Sequence, residues 1–209
     1  MTVQAPPLDP AFAGPAPAEQ LERAAKSLLD RGFAVHVVDT VEQARALVRT
    51  LLTADETVFT ASSETLRISG IAADIDESGD YRSVRRESGA DVRDVHAAIR
   101  LGATPDVVVG SVHAVTEDGR LAIASASGSQ LAPYASGARR VIWVAGAQKV
   151  VPDLDTALRR IHEYSLPKEW RRLDELAGQT SFVGKILIVE REALPERGTV
   201  VLIRETIGF

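Results

Sequence analysis

Apolar positions along the chain alternate between two periods, and the alternation predicts a series of short strands and amphipathic helices. From about Ala18, Leu21, Ala24, Ala25, Leu28 and Leu29 recur at helical spacing, and Gly32 follows them as a C-terminal cap. FAVHVV (33–38) then predicts a short buried strand. Asp39-Thr40 supplies an N-cap for a helix with Val41, Ala44, Leu47, Val48 and Leu51 on one face. ETVFTASS (56–63) predicts a second strand with its exit loop, followed by a helical segment over 64–71. From about Asp74 to Ser88 the pattern fades into acidic, glycine-containing sequence.

Beyond this gap a helix is expected over 91–101, closed by Gly102, and PDVVVGSV (105–112) predicts a buried strand. An acidic turn, Thr116-Glu117-Asp118-Gly119, leads into the extended run RLAIAS (120–125). A helix over 129–137, the strand RVIWVAG (140–146) and an amphipathic helix over 153–164 follow. A polar helical piece over 168–177 precedes two sequential strands, 184–192 and 198–205, which pair as an antiparallel edge or join the sheet separately. Short apolar runs alternating with helices imply βαβ units, so the expected fold is α/β: a mostly parallel sheet sandwiched by helices. Residues 1–17, rich in Pro and Ala, read as a flexible arm, and 18–209 as a single domain.

Composition narrows the function. The net charge of −5 offers no basic footprint for nucleic acid, and the arginines at 82–86 are flanked by acids. With no cysteine there is no disulfide, thiolate nucleophile or iron–sulfur ligation by this chain, and the four histidines lack metal-ligand spacing. No metal or other cofactor is called for. The apolar runs are too short to span a bilayer and no secretory signal opens the chain, so a cytoplasmic protein is expected.

Ligands of open α/β sheets sit beyond the carboxyl ends of the strands, which draws attention to two hydroxyl-rich loops. One holds Ser62, Ser63 and Thr65 before the helical segment at 64–71; the other holds Ser125, Ser127, Gly128, Ser129 and Gln130 before the expected helix at 129–137. Such loops cap the helices that follow, or turn free N–H groups and hydroxyls toward an anion. Lys149, at the end of a buried strand, is either a surface lysine or a cation for that anion. Glu117 reads as a turn residue or, if buried, as the acid/base group. His113 reads as a hydrogen-bonded core or loop histidine.

Four stretches carry a resemblance: SSETLRISGI, DVVVGSVHAVTEDGRLAIASASGSQLA, GARRVIWVAGAQKVVPDLDTALRRIHEYSLP and VLIRETIGF. Together they resemble the lactate-utilisation (LUD) domain family, which includes the C-type subunit of bacterial L-lactate oxidation systems. The likeness runs from about residue 18 to the end and implies a fold similar to the NagB/RpiA/CoA-transferase class. Residues 107–146 are also similar to the sugar-phosphate isomerase branch of that class, but Val112 stands where that branch has its catalytic Asp, and Ser125-Ala126-Ser127-Gly128-Ser129 replaces its Asn-Lys-x-Gly-Thr loop.

The resemblance implies an accessory or small-anion-binding component of lactate or related 2-hydroxy-acid utilisation. Its ligand would be a carboxylate or phosphate and its partners iron–sulfur oxidoreductase subunits. Two other readings stand beside it: a CoA- or sugar-phosphate-handling transferase or isomerase, and an interaction subunit without a ligand site that docks on iron–sulfur or flavin partners.

Overall fold

A computed structural model describes residues 5–88 and 95–209. From the amino end the chain forms α1 (Ala18–Asp30), β1 (Ala34–Val38), α2 (Val41–Leu51), β2 (Thr57–Thr60), the short α3 (Glu64–Ile68) and α4 (Ile71–Asp76), and β3 (Arg82–Ser83). Next come α5 (Val84–Ser88), α6 (Val95–Leu101), β4 (Val107–Gly110), β5 (Ala114–Thr116), β6 (Leu121–Ser125), β7 (Arg140–Gly146) and β8 (Val150–Val151). The chain continues through α7 (Leu154–Arg160), α8 (Leu166–Ala177), β9 (Lys185–Val189) and β10 (Gly198–Ile203). The helix expected over 91–101 is described from Val95; residues 91–94, like residues 1–4 of the Pro-rich opening, lie outside the described residues.

The strands form two sheets. The larger has six parallel strands in the order β1-β10-β7-β4-β2-β3. Strands covered on both faces need apolar residues at every position, which is why β4, β7 and β10 read as unbroken apolar runs. Alternate residues of β7 serve opposite faces. Val141, Trp143 and Ala145 enter the core shared with α1, whereas Ile142 and Val144 enter the core shared with α2, α3 and α4. Leu52, Val58, Leu66 and Ile71 complete that second core.

The smaller sheet has the order β8-β5-β6-β9 and is mostly antiparallel. It was not foreseen, because β5 and β8 have only three and two residues and carry little periodicity. Leu121 and Ile123 of β6 face the core of the large sheet, while Ala122 and Ala124 pack toward Ala157 and Ile161 beside α7. The two closing strands therefore go to different sheets. β10, buried throughout, inserts between β1 and β7; β9, half exposed, pairs antiparallel with β6.

Local chemistry sets the boundaries. Thr40 Oγ1 accepts the Gln43 amide at 3.2 Å while Gln43 Oε1 accepts from the Thr40 amide, the reciprocal cap expected before α2. The acidic turn joins β5 to β6, with Gly119 at φ 85°; a side chain there would meet the α1 backbone at Ser27. The helix expected over 129–137 is reduced to helical residues at 131–132 that run into a π turn, Pro133–Gly137. The helix expected over 153–164 divides into α7 and a π turn, Ile161–Ser165, that runs into α8. Pro167 cannot donate to the carbonyl four residues back, at Glu163. The amide of Asp9 takes that carbonyl at 2.8 Å, and Ala16 donates to Ala147 at 3.2 Å. The Pro-rich segment, expected to lie free, is thereby held across the domain, with Phe12 packed beside Tyr164 at 6.4 Å between ring centres.

Candidate functional site

A cavity of about 590 Å³ opens beyond the carboxyl ends of β2 and β4. The small sheet, the π turn at 161–165 and α8 close its other sides. Its floor begins where β4 ends. Gly110 has no room for a side chain because the Tyr134 hydroxyl lies 1.6 Å from where a Cβ would stand, and that hydroxyl accepts the Ser111 amide. Burial pushes the Tyr134 phenol up, so it stays protonated.

Ser111 then turns its hydroxyl to Lys149. The Lys149 ammonium, 1% exposed, donates to Thr65 Oγ1 at 2.9 Å, Ser111 Oγ at 2.9 Å and the Val112 carbonyl at 3.0 Å. Three acceptors match its three protons. No carboxylate pairs with it among the described residues, and burial, reinforced by the charge of Arg160, holds its pKa well below the ordinary lysine value. Ser111 Oγ in turn donates to the Val144 carbonyl at 2.7 Å.

Arg160 sits behind His113. It is fully buried, donating from Nε to the Gln148 carbonyl at 3.1 Å and from Nη1 to the His113 carbonyl and Ser165 Oγ. Its Nη2 has no hydrogen-bond partner, and it too lacks a carboxylate among the described residues. Burial lowers its pKa to about 10, which leaves it charged at neutral pH.

His113 lines the cavity, and its Nδ1 accepts the Ala124 amide at 3.1 Å. The ring proton of the neutral form is thus assigned to Nε2, as a donor. Burial, with the charges of Lys149 and Arg160, lowers its pKa to about 3 and keeps the ring neutral.

The cavity's carboxylate side chains are already engaged. Glu64 pairs with Arg67 at 2.8 Å, and Arg172 reaches Glu169 at 2.7 Å and Glu64 at 3.8 Å, tying α8 to α3. Asp76 accepts from the hydroxyls of Thr60 and Ser83, each at 2.6 Å. The uncompensated charge at the floor is positive. Among the described residues no group of three or more His, Asp or Glu could hold a metal ion.

The structure brings Ser62, Ser63, Ser125, Ser127, Ser129, Gln130 and Lys149 to this one cavity. Thr65 lies just behind the wall as a fully buried acceptor for Lys149. Gly128, at φ 91°, is outside the lining and packs against the Lys185 side chain. The hydroxyl loops differ from expectation, because neither opens a helix long enough to present a terminal field: α3 has five residues, and the second loop leads into the π turn. Ser63 caps α3, and Ser62 accepts from Arg85 at 3.0 Å. Ser125 donates to Gln130 at 3.0 Å and accepts the Gly128 amide at 2.9 Å, while Ser129 donates to Gln130 at 3.2 Å.

Glu117 is not in the lining. Its carboxylate accepts from Arg23 of α1 at 2.7 Å and its amide donates to the Val151 carbonyl. That placement is a surface ion pair joining a turn to a helix, and it removes the acid/base role anticipated for Glu117. Arg160 was the residue missed. Its signal was available, since an arginine shares a helical stripe with Ala157, Ile161 and Tyr164, where the pattern calls for an apolar side chain.

Residues 21–203 match the model of the LUD domain, and the chain belongs to that family. It is similar in structure to a DUF162 family protein from Deinococcus radiodurans, with a TM-score of 0.54 over 89% of this chain and 97% of that one, at 12% identity. That likeness shows the α/β fold. No curated protein matches the chain. Among the described residues no helix is long and apolar enough to cross a membrane.

Proposed function

We propose that this LUD-domain protein binds a small carboxylate at the Ser111–His113–Lys149 floor, as an accessory component of lactate or related 2-hydroxy-acid utilisation. The observation that carries the reading is the pair Lys149 and Arg160, two buried cations with no acid partner among the described residues, set at and behind a polar cavity. A buried charge without a partner costs several kcal/mol, and an anionic ligand offsets that cost. His113 Nε2 supplies a donor whose neutrality does not change across physiological pH. The family name supplies the 2-hydroxy-acid class. In this role the partners are iron–sulfur oxidoreductase subunits and the compartment is the cytoplasm.

Titration calorimetry with L-lactate and pyruvate tests the reading. Lys149→Met is expected to weaken binding about tenfold or more, the loss of one buried positive charge beside the ligand. Equal affinity in the variant sinks the site assignment.

A transferase or isomerase reading keeps one supporting observation, the Ser111 hydroxyl beside an amine, an arrangement that activates nucleophiles. Donation from Ser111 to Val144 argues against it, because the hydroxyl proton already has an acceptor other than Lys149. Turnover of a CoA thioester or sugar phosphate that is lost in Ser111→Ala would decide in its favour.

A further inference from the structure

The cavity is far larger than lactate. A six-heavy-atom acid displaces roughly three waters, about 90 Å³ at about 30 Å³ per water, against about 590 Å³ available. Volumes of this order enclose ligands of drug-like size.

The walls are also unlike each other. Ser62, Ser63, Ser111 and His113 come from the exits of β2 and β4, and Lys149 from the approach to β8. The side formed by α8 and the loop after it contributes the apolar Leu166, Leu173, Phe182 and Val183, alongside the Glu169–Arg172 ion pair and Ser181. Leu166 and Leu173 stand seven residues apart, two turns along one face of α8. Phe182 is 63% exposed although it lines the cavity, so its ring has apolar surface still to lose. Large exposed aromatics bordering a cleft mark contact surface for a ligand. Lactate, held by its carboxylate at the floor, has only a methyl group to offer that wall.

We infer that the preferred ligand is a 2-hydroxy acid with a large apolar side chain, alkyl or aryl, its carboxylate at the Ser111–His113 floor and its chain along Leu166, Leu173 and Phe182. This rests on the carboxylate reading above and names the substrate class of the same site. Such an acid uses both sides at once: Lys149 at the floor, backed by Arg160, holds its charged end, and each buried methylene adds about fourfold to affinity until the apolar surface of Leu166, Leu173 and Phe182 is covered.

Calorimetry on the full chain with L-lactate, 2-hydroxyhexanoate, 2-hydroxydecanoate and 3-phenyllactate tests the inference. Affinity is expected to rise by tenfold or more from lactate to 2-hydroxyhexanoate and to rise again for phenyllactate. In Phe182→Ala, an exposed site whose truncation leaves the core intact, the ratio of phenyllactate to lactate affinity is expected to fall at least fivefold. Lactate binding as tightly as the longer acids, or a ratio unchanged in Phe182→Ala, overturns the large-side-chain ligand and leaves the carboxylate site standing. No binding by any of the four acids overturns both.

Discussion

Two buried arginines are treated in opposite ways. Arg197, 6% exposed, meets Glu192, 7% exposed, at 2.7 Å, and donates to the carbonyls of Ala138, Pro133 and Tyr134. Its charge is matched and its role is complete, since it pins the connection from β9 to β10. Arg160 is buried at least as deeply and donates to two carbonyls and a hydroxyl, but no carboxylate pairs with it among the described residues and one terminal nitrogen is unpartnered. Lys149, close by, is likewise without an acid. Arg197 is neutralised internally; Lys149 in the cavity lining and Arg160 behind it have no acid partner among the described residues, and that difference separates a fastening from a binding site.

The sharpest way to break the comparison is to remove the matching charge. Glu192→Gln leaves Arg197 buried and unpaired, and is expected to cost about 3–5 kcal/mol in urea unfolding. Arg160→Met deletes a charge that has no acid partner to lose, frees hydrogen-bond acceptors and removes the guanidinium stacked over the Tyr164 ring at 5.0 Å, so its expected cost is about 1–3 kcal/mol. If the order is reversed, Arg160 is the structural residue of the two.

The contrast between these arginines also shows what a sequence can reveal. The central strands were legible because burial on both faces forces runs such as RVIWVAG and TVVLI, and the caps at Thr40 and Gly32 act within a few residues. The partition of β9 and β10 between two sheets was not, because KILIV and TVVLI have equal apolar character and the choice rests on distant partners. At the site, the serine loops were found by their composition; what could not be read is that Ser125 and Ser129 donate to Gln130 within their own loop and that the short segments after the loops carry little dipole. Lys149 could be singled out but its burial could not be read, since the three acceptors around it come from residues 65, 111 and 112. Glu117 drew attention through its chemistry alone, and its partner Arg23 lies 94 residues away.

A second, smaller effect concerns His113. Its folded-state pKa of about 3 lies below the ordinary 6.5, so between those values the unfolded chain takes up a proton that the folded ring refuses. The neutral ring carries no penalty above pH 6.5, and stability declines as pH falls below it. From pH 7 to pH 5 the loss is expected to be about 2 kcal/mol, a window above the range where most carboxylates titrate. His113→Gln should flatten this part of the stability–pH curve in urea unfolding. An unchanged slope would mean that burial, reinforced by the charges of Lys149 and Arg160, does not hold the ring neutral.

The smallest effect bears most directly on whether the unmatched cations await an anion. Burial and Arg160 depress the pKa of Lys149, and a carboxylate arriving at the floor opposes both influences by favouring the ammonium. Binding must then raise that pKa, so at any pH above the free-protein value the complex holds more protons than its separated parts. Calorimetry of carboxylate binding in two buffers of different ionisation enthalpy should show uptake of a fraction of a proton per ligand above the depressed free-protein value, and less as pH falls below it. Lys149→Met should abolish it below about pH 10, where Arg160 stays charged and His113 stays neutral. Proton release, or uptake that survives the substitution, would place the anion away from Lys149 and make that lysine a fastening like Arg197.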